Sequence, residues 1–311
     1  MIRPVSGMHA MGDRYLGRLD VADPLFDILR SGIFSDVKDP RFHVTATSSR
    51  SVFKYTEEQT RVALIGKFCR PSDPCQDKVN RILSEFENLQ KIRSFGFDTF
   101  PYYVVKPIDK SEHLGLALIE EFIRGKDLDY YLRKAIYQRE YSQLRDKLRI
   151  LAYFLFVLHR KTESSVPVAI DEVARYFLRI IDKLIRQGIL SEHERKSYLR
   201  LVEKWLMGGY LDQDRSVIVH GDATPTNFLF TERGDVVAID LERSKTSDPV
   251  FDVSMVCGEL KHAFMWRAGN PYAAEPYIRH FLKSYTRHFS DSRKAFREIT
   301  QRNPFYMALT E

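Results

Sequence analysis

The chain has 311 residues, of which 44% are hydrophobic and 29% are charged, a balance that is typical of a globular protein and excludes a largely disordered one. The formal net charge is +6, but the basic residues are dispersed without a run of five like charges, so we expect no nucleic-acid partner. No apolar run approaches the roughly 20 residues that a transmembrane helix needs, and the first 20 residues lack the apolar block of a signal peptide.

The three cysteines form no CxxC pair, which argues against a disulfide framework and favours a reducing cytoplasm. An apolar stretch at 305–309, close to the last residue, suggests that the sequence is a truncated form.

The first part of the chain is predicted to be a short helix followed by a sheet. Asp23, Pro24 and Gly32 are the capping and first-turn residues of a helix within an N-terminal extension, residues 1–40. Residues 41–123 contain runs with strand character and one run with helical spacing of apolar residues. The predicted strands are 42–46, 51–55, 61–68, 102–106 and 114–122, and the predicted helix is 77–94.

The remainder, residues 124–311, is predicted to be mainly helical. Leucines at positions 144, 148, 151, 155 and 158 form one stripe of an amphipathic helix over 142–161, and further helical patterns cover 171–187 and 191–208. The period returns to two at 217–219 and 236–239, which indicates a small β-hairpin. The sequence therefore predicts a bilobal α+β protein, with a five-stranded N-lobe and a boundary at a glycine connector near Gly125.

The densest chemical signal follows the strand at 217–219. His220, Gly221 and Asp222 begin a polar loop that ends at Asn227, and Asp240 follows the second strand of the hairpin. Phosphoryl transfer needs a carboxylate that accepts or orients the proton of the attacking hydroxyl, together with oxygen ligands for Mg²⁺. We assign the first role to Asp222 and the second to Asn227 and Asp240.

This pattern resembles the signature of the aminoglycoside phosphotransferase and choline kinase-like superfamily, the small-molecule branch of the protein-kinase-like fold. Protein kinases carry His-Arg-Asp and Asp-Phe-Gly at the corresponding points, whereas this chain has Gly221 and the pair Leu241-Glu242. The resemblance implies ATP or GTP with Mg²⁺ as cofactors and supporting roles for His220 and Asp252.

The predicted N-lobe supplies further candidates. Lys67 ends an apolar strand, where an unpaired ammonium group is costly, and Glu85 lies on the inward edge of the following helix, with Glu87 as the alternative. The resemblance implies that a Lys67–Glu85 pair positions the nucleotide phosphates.

Two further segments complete the expected nucleotide site. The resemblance places a phosphate-covering loop over Ser48, Ser49, Arg50 and Ser51, although this loop contains no glycine. It also implies that the backbone near Glu121 and Ile123 pairs with the edge of the adenine ring.

The acceptor is expected to be a hydroxyl of a small molecule such as a sugar, glycan, nucleoside, lipid headgroup or antibiotic-like compound. Residues 163–215 hold nine acidic and nine basic residues, and residues 260–311 hold four acidic and nine basic ones. This balance favours a neutral or anionic acceptor over a polycation. A protein Ser/Thr kinase and a non-catalytic nucleotide-binding pseudokinase remain the alternative functions.

Overall fold

A computed structural model describes residues 14–47, 51–68, 75–111, 117–209, 211 and 214–310. The chain divides into two compact units. The first comprises residues 1–94 and 104–123, and the second comprises residues 95–103 and 124–311.

The first unit is built on a six-stranded sheet with the order β1-β2-β3-β4-β8-β7. Neighbouring strands are antiparallel. Its elements are β1 (Arg14–Arg18), α1 (Pro24–Ile28), β2 (Phe42–Ala46), β3 (Val52–Glu57), β4 (Ala63–Phe68), α2 (Cys75–Ser94), β7 (Pro107–Ser111) and β8 (Ala117–Glu121).

Four of the five predicted strands are in this sheet, and two further strands were not predicted: β1, from the predicted extension, pairs with β2, and β7 pairs with β8. Helix α1 is also part of this unit: Asp23 caps it by accepting a hydrogen bond from the Leu25 amide at 2.9 Å. Leu25, Phe26 and the following Leu29 are buried in one apolar cluster with Phe42 of the sheet. Helix α1 of the predicted extension is therefore built into the core of the first unit.

The second unit is mainly helical and carries two small sheets, with the strand orders β5-β6-β12-β11-β9 and β10-β13. Its strands are β5 (Asp98–Thr99), β6 (Tyr102–Val104), β9 (Lys126–Asp127), β10 (Val217–Val219), β11 (Phe228–Phe230), β12 (Val236–Ala238) and β13 (Lys245–Ser247). Its helices are α3 (Leu128–Gln138), α4 (Tyr141–Lys161), α5 (Ile170–Arg186), α6 (Glu192–Met207), α7 (Val250–Ala268), α8 (Glu275–Thr286) and α9 (Ser292–Thr310).

One strand predicted for the N-lobe lies in a different sheet. The run at 102–106 supplies β6, which joins the five-stranded sheet that contains β11 and β12, rather than the sheet of the first unit. The residues of a strand indicate that it belongs to a sheet but do not indicate which strands it pairs with, because its partners come from distant parts of the chain.

The leucine stripe of α4 is fully buried, as the helical spacing predicts. The helix packs mainly against α8, while α7 packs mainly against α9. Among the described residues, none of the helices combines the length and the apolar character needed to cross a membrane.

Candidate active site

The predicted catalytic loop begins where the buried strand β10 ends. Gly221 has a φ of +78°, a left-handed conformation that L-residues with a side chain rarely adopt. A Cβ atom at this position would lie 2.0 Å from the Arg243 carbonyl oxygen. Glycine is therefore required here both by the backbone angle and by the close approach of the chain at Arg243.

Asn227 connects the two ends of the site. Its Nδ2 group donates to the Asp222 carbonyl oxygen at 2.9 Å and approaches Asp222 Oδ2 at 3.4 Å. Its own carbonyl oxygen accepts from the Ile239 amide at 3.0 Å, which holds the neighbouring Asp240 close to Asn227. Because the Asn227 amide nitrogen is turned toward Asp222, its Oδ1 oxygen is left as the free ligand atom.

The donor set fits Mg²⁺ that is bound together with a phosphate. Asn227 and Asp240 offer one amide oxygen and one carboxylate, and Mg²⁺ is usually held by one or two carboxylates, with substrate phosphates and waters completing the shell. In the part of the chain that the structure describes, no cluster of three or more His, Cys, Asp or Glu side chains forms a dedicated metal cage. Two protein ligands suit an ion that arrives with the nucleotide.

Asp252 stabilises the start of the loop through hydrogen bonds with its backbone. Its carboxylate is fully buried and accepts hydrogen bonds from the backbone amides of His220 at 2.7 Å and Gly221 at 3.0 Å. Burial alone would raise the pKa of Asp252, but its hydrogen bond with His159 and the loop amides holds that pKa below its usual value. Asp252 is therefore held as a carboxylate that fixes the first residues of the loop.

His159 is part of this support and was not predicted from the sequence. Its Nε2 donates to Asp252 Oδ2 at 3.2 Å, and its Nδ1 accepts from the Tyr285 hydroxyl at 2.8 Å. Both residues are buried. The one signal in the sequence was a histidine next to Leu158 on the apolar stripe of α4, which by itself names no partner.

His220 is placed for packing rather than for proton transfer. Its Nε2 donates to the Ile239 carbonyl oxygen at 3.1 Å, and its ring lies 5.0 Å from the Phe228 ring. The side chain is fully buried, and this burial lowers its pKa below the usual value. A neutral imidazole that bridges the loop to the strand before Asp240 agrees with a supporting role.

Asp222 has a cationic neighbour that the sequence did not reveal. Arg243 Nη1 lies 3.9 Å from Asp222 Oδ1, and its Nε lies 3.7 Å from a Glu242 oxygen. The Arg243 side chain is 58% exposed, so this contact is screened by water and orients Asp222 more than it stabilises the fold.

In the first unit, Lys67 lies between two buried carboxylates. Its Nζ is 2.5 Å from Glu85 Oε1 and 3.2 Å from Glu120 Oε1. The ion pair with Glu85 is thus present as predicted, and the alternative, Glu87, is exposed. Glu120 was not predicted, because only the register of β4 with β8, in which Lys67 faces Leu118, brings it beside the lysine.

The other residues predicted for the nucleotide site are only partly covered by the described structure. Ser48, Ser49 and Arg50 lie outside the described residues, while the Ser51 carbonyl oxygen accepts from the Phe68 amide at 2.9 Å. The Glu121 amide donates to the Lys106 carbonyl oxygen at 3.1 Å, so this N–H is already used within the sheet. Ile123 follows the end of β8.

A cavity of about 420 Å³ adjoins the catalytic loop at Thr224–Thr226. Asp129 and Arg267 lie on its wall and form an ion pair at 2.6 Å, and Arg133 Nε lies 3.2 Å from the other oxygen of Asp129. The negative charge of Asp129 is therefore already neutralised by two arginines.

The family comparison matches most of the chain. The model of the phosphotransferase enzyme family matches residues 43–289. No curated protein sequence matches the chain.

Solved structures share the fold at low sequence identity. An ethanolamine kinase of Plasmodium vivax has 16% identity and a TM-score of 0.58, with 91% of this chain and 77% of that chain covered. An aminoglycoside phosphotransferase of Streptomyces rimosus, in complex with ADP and streptomycin, has 17% identity and a TM-score of 0.53, with coverages of 94% and 100%. A second aminoglycoside phosphotransferase, in complex with GDP and kanamycin, has 13% identity and a TM-score of 0.54, with coverages of 91% and 89%. At such identities the likeness shows the fold alone.

Proposed function

Because this chain belongs to the phosphotransferase enzyme family, we propose that it transfers the γ-phosphoryl group of ATP or GTP to a hydroxyl of a small molecule, with Asp222 as the base. Enzymes of this type are kinases that act on alcohol groups. The nucleotide assignment is supported by the ADP and GDP named in the complexes of two proteins of the same fold.

The observation that carries the proposal is the arrangement of three oxygen-bearing side chains around Asn227. Its Nδ2 donates to Asp222, and its carbonyl oxygen accepts from the residue before Asp240. Asp222 is thus beside Asn227 on a loop that buried groups hold in place, and Asp240 follows a residue that is hydrogen-bonded to Asn227. A turn that served only to reverse the chain would not need Asp252 buried beneath it.

Asp222 orients the acceptor hydroxyl and accepts its proton as the phosphorus–oxygen bond forms. Arg243, beside Asp222, adds positive charge where the phosphoryl group is transferred. Asn227 Oδ1 and Asp240 would hold Mg²⁺, which neutralises charge on the phosphates when it is bound. Catalysis by this chain is then a matter of positioning and electrostatics.

Lys67 is the group that binds the nucleotide phosphates. Two buried carboxylates beside one ammonium group fix its position. The lysine is therefore held in place by contacts with Glu85 and Glu120.

The acceptor is neutral or anionic rather than polycationic. The charge balance of the C-terminal segments supports this choice, and so does the neutralised Asp129 in the cavity next to the loop. A polycation would need carboxylates that are not already ion-paired within the protein.

The test is a screen for acceptor-dependent ADP release with Asp222→Asn as the diagnostic variant. The variant is expected to keep the nucleotide affinity of the wild type and to lose roughly 10²-fold or more in turnover, the usual scale for loss of a general base. Asp146→Asn, which changes a carboxylate that is 67% exposed on α4, is the matched control and should turn over normally. Wild-type turnover by Asp222→Asn would overturn the assignment of the base.

A further inference from the structure

A second cavity of the second unit, about 280 Å³ in volume, is lined by residues of α5, of strand β13 and of the segment between α4 and α5. Lys245 and Arg179 both face it, and both lie against the ring of Tyr176. We call these three residues, Lys245, Arg179 and Tyr176, the cation cluster.

The two cations have aromatic neighbours in place of carboxylates. Lys245 Nζ lies 4.2 Å from the centre of the Phe251 ring and 4.9 Å from that of Tyr176, and the Arg179 guanidinium carbon lies 5.8 Å from the Tyr176 ring. Among the described residues, neither cation has a carboxylate within ion-pair distance. Ring contacts stabilise a cation through its charge but leave its N–H groups without acceptors.

The charges that face the cavity do not balance. Glu172 is the one carboxylate among the described lining residues, so the lining carries one net positive charge. Desolvation lowers the pKa of Lys245 although the residue keeps part of its surface in water; the buried Asp252 opposes this shift and Arg179 adds to it. Two like charges held next to one ring are relieved by an anion.

The cluster is close to the catalytic base along the same ribbon of strands. Lys245 is opposite Val219 in the pairing of β13 with β10, and the Ser244 hydroxyl donates to the Val219 carbonyl oxygen at 2.7 Å. Paired Cα atoms lie about 5 Å apart across the two strands, and Asp222 follows Val219 by three residues, which span at most about 11 Å. The Cα atoms of Lys245 and Asp222 are therefore at most about 16 Å apart. An acceptor with a charged group at one end and a hydroxyl at the other is of the size that bridges such a separation.

We propose that the cation cluster is the subsite that binds an oxyanion of the acceptor, either a phosphate or a carboxylate group. The inference rests on the proposed function and narrows the acceptor to an alcohol that already carries such a group. The planar guanidinium of Arg179 matches two oxygens of a phosphate or carboxylate, and Lys245 adds a point charge. The Tyr176 ring, 37% exposed, offers a flat apolar surface to the carbon skeleton next to that group.

The first experiment measures anion binding without requiring turnover. Inorganic phosphate is titrated by calorimetry into the protein saturated with a non-hydrolysable ATP analogue and Mg²⁺, so that the nucleotide site does not compete. Saturable binding is expected, and Lys245→Gln and Arg179→Gln should each weaken it by about tenfold or more, because each removes charge-assisted hydrogen bonds. Lys183→Gln, which removes an exposed cation of α5 outside this cavity, is the matched control and should bind phosphate normally.

Lys245→Arg retains the charge and should restore most of the phosphate affinity, which separates loss of charge from loss of packing. Arg179→Lys should restore it only in part, because an ammonium group cannot bind two oxygens as the planar guanidinium does. The absence of saturable phosphate binding by the wild type, or equal binding by the Gln variants and the control, would overturn the subsite. The titration is repeated without nucleotide, so that failure of ATP binding, which would refute the proposed function, leaves the assignment of the cluster intact.

The second experiment distinguishes phosphate as a free anion from phosphate carried by the acceptor. ADP release is measured with pairs of alcohols that differ only by a phosphate monoester or a carboxylate. The charged member of each pair should be the better substrate. Lys245→Gln should raise the KM for this charged alcohol about tenfold, while kcat and the KM for ATP stay unchanged, because the contact lies away from the transferred phosphoryl group. Equal use of charged and neutral members by the wild type would show that the cluster does not bind the acceptor.

Discussion

Gly221 gives the sharpest test of the catalytic loop, because the structure offers a matched control. Gly221 and Gly234 both have positive φ, at +78° and +89°, so an alanine at either position costs about 1–2 kcal/mol in a left-handed conformation. The loss of unfolded-state freedom on going from glycine to alanine acts equally on both variants and cancels in their difference. What remains in the difference is the environment of the new methyl group.

At Gly234 that methyl group meets nothing within 4 Å, whereas at Gly221 it would lie 2.0 Å from the Arg243 carbonyl oxygen and 2.7 Å from its carbon. Real Cβ contacts essentially never fall below 3.0 Å, so the two backbone segments must separate by at least about 1 Å. Overpacking of this kind costs about 1–3 kcal/mol. Gly221→Ala should therefore unfold at a Tm lower than that of Gly234→Ala by roughly 1.5–5 °C for a protein of this size.

The same shift displaces Asp222, the next residue. A displacement of about 1 Å at a reacting group can lower turnover by roughly 10²-fold, so we expect Gly221→Ala to lose turnover while Gly234→Ala keeps it. Thermal unfolding followed by circular dichroism, together with acceptor-dependent ADP release, measures both effects. Equal Tm values for the two variants, or full turnover by Gly221→Ala, would refute the close packing of the loop against Arg243.

Three further predictions concern the nucleotide, the metal and pH. Lys67→Ala should raise the KM for ATP strongly, whereas Glu85→Gln and Glu120→Gln should each act mildly because the other carboxylate still holds the lysine; an ATP dependence of turnover unaltered by Lys67→Ala would contradict this. ATP should raise the Tm mainly in the presence of Mg²⁺, and Asp240→Ala should abolish that metal-dependent part; equal protection of variant and wild type would argue against Asp240 as a ligand. Burial lowers the pKa of His220 in the folded protein, so as the pH falls His220 is protonated in the unfolded chain before it is protonated in the folded one. The stability that neutral His220 contributes is therefore fully present above about pH 6.5 and is lost below it, by at most about 1.4 kcal/mol per pH unit. Urea unfolding between pH 7.5 and 5 should show this slope in the wild type and a smaller one in His220→Gln; parallel profiles would rule out His220 as the source.

The groups that the sequence predicted together are those that lie close to one another along the chain. The loop from His220 to Asn227 is continuous, and the hairpin after it returns Asp240 by pairing of neighbouring strands, so spacing alone indicates which groups meet. Lys67 and Glu85 are also close in the chain, and the helical period of α2 favoured Glu85 with Glu87 as the alternative, which the structure shows to be exposed.

The groups that only the tertiary structure reveals come from distant segments. Glu120 reaches Lys67 through the register of β4 with β8, and His159 reaches Asp252 across 93 residues of sequence. Likewise, residues 14–18 carry too little strand signal to predict a sixth strand, and they pair because β2 offers them an open edge. The periodicity of apolar residues indicates which face of a helix or strand is buried, but it does not indicate which other element packs against that face.

The sequence by itself indicated an N-terminal sheet followed by a mainly helical part, and it predicted the loop from His220 to Asn227 and a phosphotransferase chemistry, because these depend on short-range spacing and on residue type. Only the tertiary structure decided which buried groups support that loop and where charges are left without counter-charges. Counts of acidic and basic residues along the sequence gave only the net charge of a whole segment. The cation cluster at Lys245 arises from the packing of α5 against β13. The interaction between two charges depends on the distance between them in the folded protein, and the fold determines that distance.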